Sequence, residues 1–101
     1  MADKRRKPID PAAERALRDA MYQSIGKGEV SLGEAVRMMR QLSRLTQPEF
    51  ARQRKISLDS LRAIESDNGN PTIATLRKIG SIFGLDVGFV AKIRRGQAPP
   101  F

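Results

Sequence analysis

Apolar residues recur at intervals of three and four along much of the chain, most clearly over residues 32–45 and 73–83. This spacing is the period of a helix that buries one face, whereas a half-buried strand alternates every second residue. The sequence of residues 31–94 contains no stretch of such alternation. The pattern therefore predicts an all-α protein with five short helices between residues 31 and 94.

Residues that can cap a free helix end mark where these helices begin. Ser31 with Glu34, and Thr46 with Glu49, have the spacing of a capping box, in which a hydroxyl and a carboxylate each accept an unpaired backbone N–H. Three further starts are predicted at single capping residues, namely Ser57, Thr72 and Asp86. Helices this short are unstable alone, so they must pack together as one domain.

Turn signals separate the predicted helices. Lys55-Ile56 forms the turn between the second and third of them, and residues 68–71 form another because asparagine and glycine tolerate positive φ. Gly84 is placed to end the fourth helix as a left-handed cap. A fifth helix is predicted to follow Asp86, with its apolar face formed by Val87, Val90 and Ile93.

An additional N-terminal amphipathic helix is predicted over residues 10–25, where Asp10 can cap it and Pro11 can occupy its first turn. Its apolar stripe consists of Ala13, Leu17, Ala20, Met21 and Ile25. The helix is expected to pack over the domain or to make a dimer contact, with a contact to a separate protein partner as the alternative.

These elements divide the chain into four parts. Residues 1–9 are predicted to be a basic flexible tail, residues 10–30 an N-terminal helix with a glycine hinge, and residues 95–101 a C-terminal tail. Residues 31–94 form the helical domain between them.

Charge adds an indication of the partner. The 101 residues contain 19 basic and 11 acidic side chains, and the net charge of +8 favours association with polyanions through counterion release. Two basic clusters lie near the termini, at residues 4–7 and at Lys92, Arg94 and Arg95. They are either arms that reach a nucleic acid or solvated terminal charges.

The absence of two residue types excludes several classes of site. The sequence has no cysteine and no histidine, which excludes disulfide scaffolds, zinc fingers and catalytic centres that use either residue. No pair of carboxylates is singled out for acid–base chemistry, so we expect no enzyme activity, metal or cofactor. No apolar run is long enough to span a bilayer or to act as a secretory signal, and we expect a cytoplasmic protein.

Five segments stand out by residue type and spacing, and they cover about two thirds of the chain. They are LGEAVRMMR at 32–40, TQPEFA at 46–51, ISLDSLRAIE at 56–65, NPTIATL at 70–76 and FGLD at 83–86. Together they resemble the lambda-repressor and Cro-like family of helix-turn-helix proteins, also called XRE-type. The resemblance implies a five-helix DNA-binding domain over residues 31–94, in which a recognition helix from about Leu58 to Ser66 enters the major groove.

The resemblance also implies roles for individual residues. Gln47, which opens the supporting helix, is expected to contact a phosphate. Arg40 and Glu65 are expected to form an internal ion pair with a structural role. The positions that touch bases in the family fall on Leu58, Asp59, Arg62 and Ala63.

Among these four positions, only Arg62 offers the bidentate fork that suits guanine. Leu58 and Ala63 can meet a thymine methyl group. Asp59 can accept from a cytosine amino group or stabilise the positive N-terminus of its helix. The remaining expected contacts reach the DNA backbone: hydrogen bonds to phosphates from Thr46, Gln47, Ser57, Ser60 and Asn68, and electrostatic attraction from Arg44, Arg54 and Lys55.

Three residues, at two places in the chain, depart from the family pattern. Arg54 and Lys55 stand where an aliphatic residue and a glycine are usual in the turn, and Asp67 replaces a glycine after the recognition helix. The turn must therefore close without glycine, and Asp67 or Asn68 must enter the left-handed region.

Three functions remain open at the level of the sequence. The resemblance favours a regulator of transcription, a repressor that reads double-stranded DNA as a homodimer with recognition helices about 34 Å apart. The second is an antitoxin, in which residues 1–30 bind a toxin protein and the DNA-binding domain represses its own operon. The third is a helical adaptor that reads no DNA, suggested by Leu58 and Asp59 at reading positions.

Overall fold

The computed structural model describes residues 10–91, which contain five α-helices, one short 3₁₀ turn and no strand. The helices are α1 (Pro11–Gly26), α2 (Leu32–Ser43), α3 (Gln47–Arg54), α4 (Leu58–Glu65) and α5 (Ile73–Gly80), and the 3₁₀ turn is Ser81–Phe83. The predicted all-α class is confirmed for this part of the chain. The two basic clusters near the termini lie outside the described residues.

The helices begin at the predicted capping residues. Ser31 and Thr46 each form a complete capping box, the first with Glu34 and the second with Glu49. Single side chains accept backbone N–H groups at the starts of α1, α4 and α5, namely those of Asp10, Ser57 and Thr72. These contacts are local in sequence, which is why the pattern alone located them.

Three helices end at a left-handed residue that is not glycine. Arg44, Lys55 and Asp67 have φ angles of 58°, 60° and 58°. After each of them, the next residue donates its N–H to a carbonyl in the last turn of the preceding helix, which is the Schellman closure. The turn between α3 and α4 therefore closes without glycine, as predicted.

Helix α2 lies at the centre of the fold and contacts each of the other four α-helices. The buried core consists of Met21, Ala35, Val36, Met39, Leu42, Phe50, Ala51, Leu61, Ile64 and Ile79. The predicted apolar stripe of α1 packs only near its C-terminal end, where Met21 is buried and Ile25 is half-buried. Residues 11–20 are exposed except for the half-buried Glu14, so the first half of α1 contributes no residue to the buried core.

The helix predicted to follow Asp86 is wrong over residues 85–91, which are not helical. An N-cap accepts from N–H groups two or three residues ahead. The Asp86 carboxylate instead accepts from the adjacent N–H of Val87 at 2.7 Å and from Nε of Arg77 at 3.0 Å. Gly88 also lowers the helix propensity of the segment. Ile93, predicted on the same helix, lies outside the described residues.

Candidate nucleic-acid interface

Helices α3 and α4 form a hairpin whose connection is rigid and basic. Lys55 takes the left-handed position, and the N–H of Ile56 donates to the carbonyl of Ala51 at 3.0 Å. Ile56 is half-buried against the core, so the turn is held from inside. The side chain of Lys55 remains exposed. The hairpin thus places a positive charge on its outer surface at the point where α4 is about to begin.

Helix α4 has one buried face and one exposed face. Leu61, Ile64 and Glu65 are 0–3% exposed and lie against the rest of the fold. Asp59 and Arg62 are exposed, as is Ser60 between them in sequence. Asp59 and Arg62 are three residues apart, so they occupy the same side of the helix. The outer face of α4 therefore presents one carboxylate, one hydroxyl and one guanidinium.

Two of the four predicted base-reading residues are less accessible. Leu58 is half-buried and packs against the core. Ala63 is also half-buried, and its Cβ lies 3.0 Å from the position that a Cβ would occupy at Gly69. The structure thus brings Asp59 and Arg62 fully to the surface, whereas Leu58 contributes mainly to packing. A base contact by either half-buried residue stays a prediction.

A buried carboxylate fixes the position of α4 relative to α2 and α3. Glu65, which is 3% exposed, accepts two hydrogen bonds from Arg40, at 2.8 Å from Nε and 3.0 Å from the terminal nitrogen. Gln47 donates Nε2 to the same carboxylate at 3.1 Å. The expected ion pair is therefore present and bidentate, the geometry that gives the strongest charge-assisted hydrogen bonds. Gln47 uses one N–H of its side-chain amide internally, so a phosphate contact from this side chain would use the second N–H of the same nitrogen.

A second cluster, which the sequence did not indicate, holds the C-terminal end of α4. Asp67 accepts from the hydroxyl of Ser31 at 2.7 Å and from the backbone N–H of Gly33 at 2.8 Å, and Arg37 donates to the carbonyl of Glu65. The hydrogen bond from Ser31, followed by that from Gly33, lowers the pKa of Asp67. The carboxylate is therefore held in its charged form. Ser31 could be recognised from the sequence as a cap, but nothing local indicated its partner 36 residues away.

The absence of a side chain at Gly33 allows α2 and α4 to approach closely. A Cβ at this position would lie 2.6 Å from the carbonyl oxygen of Ile64 and 2.7 Å from that of Glu65. Both atoms belong to the backbone of α4, so neither can move without moving the helix. Gly33 thus determines how close the end of α4 comes to the start of α2.

The predicted phosphate-binding hydroxyls are exposed but also act as caps. Thr46 Oγ1 accepts from the N–H of Glu49, and Ser57 Oγ accepts from the N–H of Ser60 and donates to its hydroxyl at 2.8 Å. Asn68, also exposed, donates to the hydroxyl of Ser66 at 3.4 Å. These groups line the outer edge of the hairpin, with their geometry already fixed by the helix ends.

Arg54 is more constrained than predicted. Its guanidinium lies over the ring of Phe50, 5.6 Å from the centroid, and donates to Gln53 at 3.3 Å. Its Nε atom is buried without a hydrogen-bond partner among the described residues. Arg54 therefore covers the side of α3 and is half-buried, whereas Arg52 and Lys55 are exposed. Residues 44–66 contain five basic and three acidic side chains, and one of the acidic ones, Glu65, is neutralised internally.

A shallow groove of about 200 Å³ runs beside the outer face of α4. Residues from α4 and from the start of α5 line it together: Ser60, Ala63, Ile64, Asn70, Pro71, Thr72 and Thr75. Sequence reasoning treated Thr72 only as a cap and did not single out Thr75. Their proximity to Ser60 extends the polar surface of the hairpin towards α5.

Residues 10–91 contain no cluster of three or more carboxylates that could hold a metal ion. Within the same range, no helix has the length and apolar character needed to cross a membrane. Comparison of the chain with family models, curated proteins and solved structures finds no match. Function is therefore inferred from the contacts, charges and exposed side chains described above.

Proposed function

We propose that the protein is a sequence-specific double-stranded DNA-binding regulator of transcription, a repressor built on a lambda-repressor-like helix-turn-helix. One observation carries the proposal. Helix α4 is locked on its inner side by Glu65 and presents Arg62 and Asp59 on its outer side, directly after a basic turn. An α-helix with its side chains is about 10–12 Å across, which matches a major groove about 12 Å wide.

In this function Arg62 reads bases and the rest of the hairpin positions it. Its guanidinium can donate two hydrogen bonds to guanine O6 and N7, and Asp59 can accept from a cytosine amino group. The hydroxyls of Thr46 and Ser60 can donate to phosphates, whereas that of Ser57 donates to Ser60 and holds it in place. Because the ion pair between Arg40 and Glu65 fixes the helix, little conformational entropy is lost when these contacts form.

The two basic residues in left-handed positions support an electrostatic role. A left-handed conformation costs a non-glycine residue roughly 1–2 kcal/mol. A cation at a helix C-terminus regains about 0.3–1 kcal/mol from the helix dipole. Glycine would thus be more stable at Lys55, and a contact between its charge and DNA phosphates explains why a basic residue stands there instead.

Selection of preferred sequences from random duplex DNA, followed by affinity measurements on variants, tests the proposal. Arg62→Ala should reduce discrimination by about 1–3 kcal/mol at one base pair. Lys55→Ala should weaken binding to all sequences alike and reduce the salt slope by about 1. Arg15→Ala, which removes an exposed arginine from α1, is the matched control and should change neither quantity.

Two results would contradict this function. One is the enrichment of no sequence in the selection. The other is an equal loss of affinity on every sequence for Arg62→Ala and Lys55→Ala, which would reduce Arg62 to a source of charge. Binding to random duplex as tight as to any selected sequence would favour the adaptor function.

The exposure of α1 favours the antitoxin as a second candidate function. Leu17 is 38% exposed, and residues 11–20 are all exposed except for the half-buried Glu14. A helix of this kind can bind a groove on a toxin protein. In this candidate function, the toxin is encoded by a gene next to that of the protein, and the protein protects cells that express the toxin. Leu17→Glu should abolish this protection while DNA binding is unchanged. If that gene is harmless when expressed alone, this candidate fails.

A further inference from the structure

An apolar groove with a volume of about 310 Å³ lies on a part of the surface that the proposed DNA contact does not use. Its lining comes from the end of α1, from α2 and α5, and from the non-helical segment at residues 85–90. Val36, Met39 and Ile79 belong both to this lining and to the buried core. No residue of α3 or α4 lines the groove, so binding there is separable from the proposed contact with DNA.

The rim of the groove is apolar and open to solvent. Phe89 lines the groove and is fully exposed, with a relative accessibility of 108%. Val90 and Leu32, also in the lining, are 66% and 47% exposed. Large apolar side chains exposed beside an apolar groove form a contiguous surface of the kind that a binding partner covers.

The size and shape of the groove indicate that its occupant is a protein. Pockets for small molecules have volumes of roughly 300–1,000 Å³ and bury most of the ligand. The groove lies at the lower end of this range, and a ligand confined to it would leave Phe89 uncovered. Because the groove is concave, a flat membrane surface would not fill it. A protein can fill it with a few side chains and cover the rim with its remaining surface.

The character of the lining favours a helix over an extended peptide. An extended peptide commonly gains affinity by pairing its backbone with the edge of a sheet, and residues 10–91 contain no strand. In an apolar groove, its N–H and C=O groups would lose water without gaining partners. The lining has one charged residue, Asp86, and its carboxylate is already paired with Arg77 at 3.0 Å. A helix satisfies its own backbone groups, so it can place an apolar face in such a groove.

The residues that follow the groove in the chain indicate the charge of the partner. Val90 lines the groove, and Lys92 comes two residues later, which limits the distance between their Cα atoms to about 7 Å. Arg94 and Arg95 come next, and the same covalent limit keeps their Cα atoms within about 18 Å of that of Val90. Three positive charges are therefore tethered beside the groove, where they attract carboxylates.

The described residues at this end of the groove do not cancel these charges. A Cβ at Gly28 would lie 3.7 Å from Cγ2 of Val90, so the loop after α1 passes beside the segment. The neighbours of Gly28 in the chain are Lys27 and Glu29, both exposed, and their charges balance. The one charged residue of the lining is balanced by its ion pair. The excess charge at this end is therefore positive.

We propose that this groove binds an acidic amphipathic helix of a partner protein. The apolar face of that helix occupies the groove and covers Phe89, and carboxylates along its edge pair with Lys92, Arg94 and Arg95. The net charge of +8 disfavours a second copy of this chain as the partner. The inference does not rest on the proposed function, since neither α3 nor α4 takes part in it.

Selection from a displayed library of helical peptides, each of about 15 residues, tests the groove with the full chain and without DNA. The library carries apolar residues at the spacing of one helix face and a free choice of glutamate, lysine or glutamine elsewhere. The enriched peptides should be rich in glutamate. In fluorescence anisotropy, Phe89→Ala should weaken their binding at least about tenfold, as loss of an aromatic hot spot does. Ile73→Ala is the matched control: Ile73 is 57% exposed but does not line the groove, so this variant should bind like wild type.

Two triple variants separate local charge from net charge. The first changes the basic residues that follow the groove: Lys92→Gln, Arg94→Gln and Arg95→Gln. It should weaken binding of the glutamate-rich peptides by about threefold or more, because each exposed ion pair contributes little by itself. The second removes the same charge from exposed arginines that do not line the groove: Arg15→Gln, Arg18→Gln and Arg52→Gln. It should bind nearly as tightly as wild type.

Because the Phe89 side chain is fully exposed, Phe89→Ala removes no core contact, and circular dichroism should show an unchanged melting temperature. Enrichment of lysine-rich helices, or equal affinities of the two triple variants, would overturn the acidic partner. The absence of any helix whose binding depends on Phe89 would overturn the proposal as a whole and favour residues 92–101 of the same chain or an anionic membrane as the occupant. Binding to phosphatidylglycerol vesicles that Phe89→Ala abolishes would then identify the membrane.

Discussion

Gly33 lies at the closest approach between α2 and α4, and Gly33→Ala tests how tightly α4 is positioned. The added Cβ would lie 2.6 Å from the carbonyl oxygen of Ile64, about 0.8 Å short of the 3.4 Å at which ordinary contact begins. It would also lie 2.7 Å from the carbonyl oxygen of Glu65 and 2.9 Å from Cγ of Asp67. Relief therefore requires α4 to move away from α2, which stretches the hydrogen bond between Gly33 and Asp67.

Packing and helix propensity change the free energy of unfolding of Gly33→Ala in opposite directions. Overpacking of this kind costs typically about 1–3 kcal/mol, whereas alanine gains up to about 1 kcal/mol over glycine inside a helix. Both closest atoms are backbone oxygens, so the upper part of the overpacking range, about 2–3 kcal/mol, applies, and the free energy of unfolding should fall by about 1–2 kcal/mol after the gain of up to about 1 kcal/mol. In a domain of this size the melting temperature should fall by roughly 4–16 °C.

Urea denaturation followed by circular dichroism measures this difference. Gly26→Ala is the matched control, because a Cβ at Gly26 meets no atom within 4 Å and the residue also lies in a helix. That variant should be as stable as wild type or slightly more stable. If Gly33→Ala behaved like Gly26→Ala, the close approach of α2 and α4 would not constrain the fold.

Three further predictions follow from the other contacts of the hairpin. Glu65→Leu should lower the free energy of unfolding by about 3–5 kcal/mol because it leaves the charge of Arg40 without its partner. In the same denaturation assay, Glu65→Leu combined with Arg40→Met should recover most of the loss. Equal losses in the single and double variants would contradict a coupled pair. Lys55→Gly should raise stability by up to about 1 kcal/mol by relieving a φ of 60°, yet weaken DNA binding on every sequence in a titration; a less stable variant would contradict the strain. Folding lowers the pKa of Asp67, so its carboxylate contributes fully to stability at pH values above its ordinary pKa of 3.8. This contribution is lost as the pH falls through the lower pKa of the folded state. Asparagine tolerates the left-handed backbone, so Asp67→Asn should reduce stability at neutral pH and make stability fall less steeply on acidification. If the stability of the variant changed with pH in parallel with that of wild type, the contacts of Asp67 with Ser31 and Gly33 would not stabilise the fold through its charge.

The resemblance carried correct information about one contact that no local pattern contains. Arg40 and Glu65 are 25 residues apart, and the paired geometry at 2.8 Å was expected only because of the resemblance. The same resemblance placed Leu58 among the base contacts, and this side chain packs against the core. Residue type at a matched position does not determine exposure, because exposure depends on the neighbours that tertiary packing supplies.

The sequence itself determined the starts of the five α-helices, whereas it did not show that Arg44 would end α2 in the left-handed region or that α5 would end at Gly80 rather than at Gly84. A capping box joins residues three apart, as at Ser31 and Thr46, and a Schellman closure joins residues five apart, as at Lys55. Such contacts need no other part of the chain, so their residue types and spacing suffice to predict them.

Only the tertiary structure decided how these helices meet. The contact of Gly33 with the backbone of α4, the hydrogen bond between Ser31 and Asp67, and the non-helical course of residues 85–91 all depend on atoms distant in sequence. Asp86 illustrates the reason: a residue with the character of a helix cap is engaged instead by Arg77, nine positions earlier on α5. Local preference amounts to about 1 kcal/mol per cap, so a partner brought close by folding can redirect it.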